Sequence, residues 1–246
     1  MEEEKTNTIK ENPIELAQQA WTHLQLVRKK SPLIQCITNF VSMDLMANTL
    51  LSAEASPAMI HSINEIPEFT PKALGVCINA GTLTPDWLPG MKLAAQVANQ
   101  SKKPWVLDPV AAGGSSFRLK ACLELLALKP TVVRGIGSEI LALSKGSVDS
   151  NSKGVDSVHG SSDAVEAAKS LAQQSGSIVA VSGAVDFITD GDKVVCVHNG
   201  VPMLQKKLLH LDVLSLPSYL PLSQLIHPIQ LKRQHLHWLY LVSPVR

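Results

Sequence analysis

Residues 104–140, PWVLDPVAAGGSSFRLKACLELLALKPTVVRGIGSEI, hold the repeat that decides the fold. Trp105 to Asp108 reads as a short buried strand, Phe117 to Leu128 as a helix and Thr131 to Arg134 as a second strand. Ser138 to Leu143 opens a further helical segment. Strands that alternate with helices of this length pair in parallel, because the helix supplies the crossover a parallel pair needs.

The same rhythm extends in both directions. Towards the N-terminus, Asn12-Pro13-Ile14-Glu15 opens a helix, with Asn12 as cap, Pro13 at the first helical position and Glu15 reaching back to the cap. Leu16, Ala20, Leu24 and Val27 form its apolar face. Leu33 to Thr38 is an apolar strand, Ser42 can cap a helix running to about Ala53, and Ala55-Ser56-Pro57 ends that helix. Leu74 to Asn79 reads as a strand and Pro89 to Gln100 as a helix. Towards the C-terminus, the helix Ser162 to Gln174 stops at Gly176 and feeds the strand Ser177 to Ser182. Asp190-Gly191 is a hairpin turn between two apolar stretches of Asp186 to His198, which adds antiparallel strands at one edge. The expected architecture is a three-layer α/β fold, doubly wound around a largely parallel sheet.

Two stretches break the rhythm. Gly146 to Ser162 is rich in Ser, Gly and Asp and reads as a surface loop. Residues 207–246 contain 12 Leu and 4 Pro but no Gly, Ala or Glu. The domain boundary is accordingly expected at 206/207, with a domain over 1–206 and an atypical Leu/Pro-rich tail over 207–246.

Composition narrows the function. The 246 residues carry 22 Lys+Arg against 21 Asp+Glu, a net charge of +1, which gives no basis for a nucleic-acid or anionic-membrane partner. Hydrophobic residues make up 45% and charged residues 17%, the balance of a core-forming domain. Cys36, Cys77, Cys122 and Cys196 form no C-x-x-C pair, so they read as free and mostly buried thiols. The acidic start lacks an apolar signal region, and no apolar run approaches the roughly 18 residues of a membrane span. A soluble cytoplasmic protein is expected. Neither G-x-G-x-x-G nor G-x-x-x-x-G-K-[ST] occurs, which disfavours dinucleotide and P-loop binding.

In open parallel sheets ligands sit beyond the carboxyl ends of the strands. Four polar groups occupy such places: Thr38-Asn39, Asn79 to Thr82, Asp108 to Val110, and Ser182-Gly183. Asp108 can hold Mg²⁺ directly or through water, or can act only as a turn former before Pro109. Ala111 to Gly114 can bring backbone N–H groups to an anion. Arg134 offers a guanidinium fork for phosphate, and Glu139 either joins that chemistry or complements a helix dipole.

The ordered strings SPLIQCITNFV (31–41), ANTLLSAEASPAM (47–59), INAGTL (78–83), PWVLDPVAAG (104–113), RGIGSEI (134–140), GVDS (154–157), VSGAVDFITDG (181–191) and HNGVP (198–202) resemble the hydroxyethylthiazole kinases. These thiamine-salvage enzymes belong to the ribokinase-like superfamily. The resemblance implies ATP- and Mg²⁺-dependent phosphorylation of the hydroxyl of 4-methyl-5-(2-hydroxyethyl)thiazole. It further implies thiazole binding at Met59, ATP binding at Arg134 and Ser182, and acidic positions near the metal at Asp108 and Glu139. Family members are trimers with sites at subunit interfaces, so Met59 is expected to serve a neighbouring site.

Two departures accompany the resemblance. Ile136 stands where the family's RGN-x-SE motif has an amide. After HNGVP the family continues into a Gly-Thr-Gly-Cys loop that this sequence lacks, so no catalytic residue is assigned and the C-terminal part of the fold is expected to be incomplete. A non-catalytic isoform that binds ligand, or joins trimers of an intact relative, is the alternative expectation.

Overall fold

The computed structural model describes residues 13–148, 161–183 and 185–198. Asn12, most of the Gly146 to Ser162 loop, and the 206/207 boundary with its tail lie outside them. The chain begins with α1 (Pro13–Lys30), β1 (Leu33–Ile37), α2 (Met43–Ser52) and β2 (Ser56–Ala58). The short α3 (Ile66–Phe69) and a 3₁₀ turn precede β3 (Gly75–Asn79), α4 (Trp87–Gln100) and β4 (Trp105–Asp108). A second 3₁₀ turn, Ala112–Gly114, leads to α5 (Ser116–Leu126), β5 (Val132–Ile136) and α6 (Gly137–Lys145). The last described elements are α7 (Ser161–Ser175), β6 (Ile178–Ser182), β7 (Val185–Thr189) and β8 (Val194–His198).

The strands form one eight-stranded sheet in the order β2-β1-β3-β4-β5-β6-β7-β8. The first six are parallel, while β7 and β8 pair antiparallel around the Asp190-Gly191 turn, as the sequence predicts. Asp190 Oδ1 accepts the Asp192 and Lys193 N–H groups, and Gly191 has φ of 103°, a conformation that favours glycine.

One face of the sheet packs Val27 of α1 and Met46 and Leu50 of α2 against Cys36, Cys77, Val106, Val132 and Ala180. On the other face, α4 covers Val76, Ile78 and Leu107, while α5, α6 and α7 cover Val133, Val179 and Val181. This gives the expected three layers and explains the near-continuous apolar strands, since a parallel sheet clad on both sides has no polar face.

The structure departs from the sequence reading in three places. Ser56-Pro57-Ala58 is not only a helix terminator: it pairs with Leu33 to Gln35 as the edge strand β2. Three residues containing a proline give no periodic signal, and an edge is where a strand tolerates proline. Strand β5 runs two residues past Arg134, and α6 starts at once at Gly137. Ser42 occupies the cap position of α2 but makes no side-chain capping bond. Asn39 Oδ1 instead holds the turn that leads into the helix, accepting the N–H groups of Val41 and Ser42 at 3.0 Å each.

The helices among the described residues include none long and apolar enough to cross a membrane. All four cysteines are free, with Cys36, Cys77 and Cys122 buried and Cys196 exposed. Burial pushes the Cys36 and Cys122 thiols up to about 12, so neither is a thiolate near neutrality. Labelling of the native protein with a water-soluble disulfide reagent at pH 8 is therefore expected to modify Cys196 rapidly and the other three only after denaturation. Rapid modification of more than one thiol per native chain would contradict this packing.

Candidate active site

The connection from β1 through α2 runs to β2 on one side, whereas β3, β4, β5 and β6 follow on the other. The chain thus reverses direction between β1 and β3, and the carboxyl ends of those strands flank the crevice where doubly wound sheets bind ligands. Thr38 and Asn39 follow β1, Asn79 ends β3, and Asp108 ends β4.

These ends are joined by a buried polar row. Asn39 Nδ2 donates to Asn79 Oδ1 at 2.8 Å, and Asn79 Nδ2 donates to Asp108 Oδ2 at 2.6 Å. The Arg134 guanidinium reaches the same carboxylate oxygen at 3.9 Å. Exposure runs from 0% at Asn79 to 7% at Asn39, with Asp108 at 1% and Arg134 at 2%, so the row is shielded from bulk water. Both amide orientations are fixed by backbone N–H groups, which can only donate. Val41 and Ser42 fix the Asn39 oxygen, and Gly81 N–H, 2.9 Å from Asn79 Oδ1, fixes the other. A Cβ on Gly81 would come within 2.7 Å of Asn39 Nδ2, so glycine is required for the approach.

The loop after β4 is held from two directions. Glu139, near the start of α6, accepts Ala111 N–H at 2.7 Å on Oε1 and Ile136 N–H at 2.8 Å on Oε2. The second bond caps the helix, as the dipole argument anticipates; the first fixes Ala111 in a left-handed conformation with φ of 54°. Gly135 has no room for a Cβ, which would lie 2.9 Å from Glu139 Oε2. Arg118 Nη1 donates to the carbonyls of Ala80 and Val110, tying the loops after β3 and β4 together. Ser138 Oγ is buried beside this cap and finds no hydrogen-bond partner among the described residues.

Asp108 and Arg134 are thus brought into contact, while Glu139 acts on the loop next to them. Ser182 ends β6 and pairs in register with Ile136, two residues beyond Arg134. Met59 follows the edge strand β2, half-buried against the α1/α2 side of the core. Three strand spacings of about 4.8 Å separate β2 from β4, so Met59 stands roughly 14 Å across the sheet from Asp108. Of the supporting residues, Asn39 and Asn79 were visible as strand-end polar groups. Gln35 had a weaker signal, as the lone amide in LIQCI. Arg118 had none, because its partners are loop carbonyls distant in sequence.

A depression of about 590 Å³ lined by Leu119, Leu123, Ala127 and Val148 lies on the outer helical layer and includes none of the strand-end residues. No group of three His, Cys, Asp or Glu among the described residues has metal-holding geometry.

The row generates a prediction. Asn79→Ala would strand the Asn39 amide, an unsatisfied buried group costing about 1–3 kcal/mol, and remove one hydrogen bond from Asp108. Asn79→Asp sets a second carboxyl against Asp108, which raises its folded pKa above the unfolded value. More protons are then bound when folded, so stability falls as pH rises between those values. The variant's denaturation midpoint is expected to lie close to the wild type near pH 4 and to drop well below it at pH 8; an equal deficit at both would refute the charge assignment.

The model of the hydroxyethylthiazole kinase family matches residues 24–208. A hydroxyethylthiazole kinase of Arabidopsis thaliana is 66% identical over 186 residues, 76% of this chain and 67% of that protein. One from Zea mays is 61% identical over 189 residues, covering 76% of this chain and 66% of its own length. The chain therefore spans about two thirds of these relatives. The solved hydroxyethylthiazole kinase protein of Pyrococcus horikoshii OT3 superposes with a TM-score of 0.77 at 33% identity, covering 87% of this chain and 80% of that one. A Staphylococcus aureus pyridoxal kinase in complex with ADP, at 14% identity and a TM-score of 0.59 over 81% of this chain and 83% of its own, shares the fold. With the family model matching residues 24–208, which contain every strand of the sheet, and relatives 61% and 66% identical, the chain belongs to the hydroxyethylthiazole kinase family.

Proposed function

We propose that this chain transfers the γ-phosphoryl group of ATP to the hydroxyl of 4-methyl-5-(2-hydroxyethyl)thiazole, in thiamine salvage. The observation that carries the reading is family membership over residues 24–208, which span all the strand ends described above. In the reaction the hydroxyl oxygen forms the new P–O bond and the bond between the γ-phosphorus and the bridging oxygen breaks. ADP leaves with the electron pair, and the hydroxyl proton is released. The sequence has no Gly-Thr-Gly-Cys loop, so no residue is assigned as the base.

In this reading Arg134 and Ser182 bind the ATP phosphates. The buried guanidinium beside Asp108 places positive charge in a low-dielectric site, where it acts strongly on a developing anion. The Glu139 bonds keep Ala111 and its neighbours in one conformation, so their backbone dipoles need no reorganisation. Asp108 and Glu139 are the acidic positions for Mg²⁺. Both Glu139 oxygens already accept backbone N–H groups, so Glu139 would reach the ion through water, which suits an ion that keeps several waters and takes other ligands from phosphates. The unpartnered Ser138 hydroxyl adds a polar valence at the same place. When bound, Mg²⁺ neutralises charge on the phosphate oxygens.

Met59 is the thiazole-binding position. Its lateral separation of roughly 14 Å from Asp108 favours the reading in which it serves the adjoining subunit of a homotrimer. The alternative reading, a non-catalytic isoform that binds ligand or joins trimers of an intact relative, is not favoured by the family match.

Turnover separates the two readings. Full-length protein with ATP, Mg²⁺ and the thiazole is expected to form thiazole phosphate and ADP in equal amounts. Ser182→Ala should raise the KM for ATP about tenfold or more, the size of a lost hydrogen bond to a charged group. Asp108→Asn should lower kcat roughly 10²-fold, as for removal of one electrostatic contributor. A folded wild-type chain that binds both ligands without turnover would overturn the kinase reading in favour of the isoform.

A further inference from the structure

The segment that carries Met59 has no regular structure of its own after β2, yet it is tied to the end of β1 by one side chain. The Thr38 backbone N–H lies 3.2 Å from His61 Nε2, and His61 Nδ1 lies 3.2 Å from the Met59 carbonyl. A backbone N–H can only donate, so Nε2 must accept, and the proton of the neutral ring must sit on Nδ1, where it donates to Met59. The opposite tautomer would make one bond, to the Thr38 carbonyl at 3.3 Å, and would leave Thr38 N–H and the Met59 carbonyl unserved. The imidazole therefore bridges the strand end at the topological switch point to the backbone of Met59.

Other contacts hold the ring and the next peptide in place. The ring packs on Trp87 of α4 with centroids 4.7 Å apart and planes tilted by 44°, and Phe40 packs edge-on against the other side of this cluster at 4.8 Å from Trp87. A Cβ on Gly90 would come within 2.9 Å of the His61 carbonyl, so the close approach of α4 depends on that glycine. The buried Gln35 of β1 donates to the Ile60 carbonyl at 3.1 Å and accepts from Thr70 Oγ1 at 2.6 Å. Two side chains, from β1 and from the segment itself, thereby bracket Met59 and Ile60.

We infer that His61, as the neutral Nδ1–H tautomer, is a positioning residue for thiazole binding, fixing the Met59 backbone to the end of β1 so that the Met59 side chain is presented in one arrangement. This rests on the reading of Met59 as the thiazole-binding position. The bridge touches neither Arg134, Asp108 nor Ser182, so its loss acts on the thiazole and leaves nucleotide binding alone.

The test uses full-length protein. Thiazole affinity is read by calorimetry, ATP affinity alongside it, and the His61 ring nitrogens by ¹⁵N NMR at pH 8. The wild type is expected to show a protonated Nδ1 and an unprotonated Nε2. His61→Ala should weaken thiazole binding about tenfold with ATP binding changed less than twofold. His61→Asn, which keeps a donor at the Nδ1 position but has no acceptor for the Thr38 N–H, should stay close to the His61→Ala loss, because it cannot join the two segments. The Met59→Ala/His61→Ala double variant should lose less than the product of the two single losses.

An Nε2–H ring, equal losses for thiazole and ATP, or unchanged thiazole affinity in His61→Ala would each overturn the inference while leaving the kinase reading intact. A wild-type chain that binds ATP but not the thiazole would overturn the reading of Met59 and the inference with it.

Discussion

The hydrogen bond from Asn79 to Asp108 is the interaction on which the site depends. The two residues face each other in register at the carboxyl ends of adjacent parallel strands. Six parallel strands clad by helices on both faces leave almost nowhere for polar side chains, and the strand ends are where they concentrate. A one-residue slip of β3 against β4 would turn Asn79 to the other face and cost Asp108 its hydrogen bond from that amide. The same bond that fixes the register therefore fixes the carboxylate. Asn39 extends the row to the end of β1 while its oxygen holds the turn before α2, so one amide connects that turn to the polar row.

Around this row the loops are secured by side chains that belong to other elements. Arg118 of α5 holds the loops after β3 and β4, Glu139 of α6 holds the loop after β4, and Gln35 of β1 holds the segment after β2. In each case a long side chain meets backbone groups, so a loop conformation is set by a residue far from it in sequence. Groups held in this way need little rearrangement when charge develops on a phosphoryl group, which is the physical basis of preorganised catalysis. The left-handed Ala111 shows the cost side of the arrangement, since an alanine adopts that conformation only when its surroundings hold it there.

The sequence made the layers legible because strand and helix periods alternate cleanly from Leu33 to Ser182, and the Asp190-Gly191 turn marked the antiparallel edge. It also marked the strand ends at Asn39, Asn79, Asp108 and Ser182, because a polar residue closing an apolar strand is visible in one dimension. What it did not reveal depends on distant partners. Strand β2 is too short and too proline-rich to show a period, and only its pairing with β1 defines it. Ser42 stands at the α2 cap position without a side-chain capping bond, and the turn before the helix is held by Asn39, whose amide is fixed by Asn79 across 40 residues. The dual role of Glu139 was half visible: the helix start was plain, but the bond to Ala111 crosses 28 residues.

In the proposed function, ligands engage the carboxyl edge of the sheet through this row. The most direct measurement is NMR of the full chain, following the Asn39 and Asn79 side-chain amides and the Ala111 backbone amide as the thiazole and a non-hydrolysable ATP analogue with Mg²⁺ are added. These three signals are expected to shift on addition of the two ligands, while the amides of Ser31 and Thr131, at the opposite edge, stay fixed. Shifts confined to that opposite edge, or to the helical surface around Leu119 and Leu123, would contradict it.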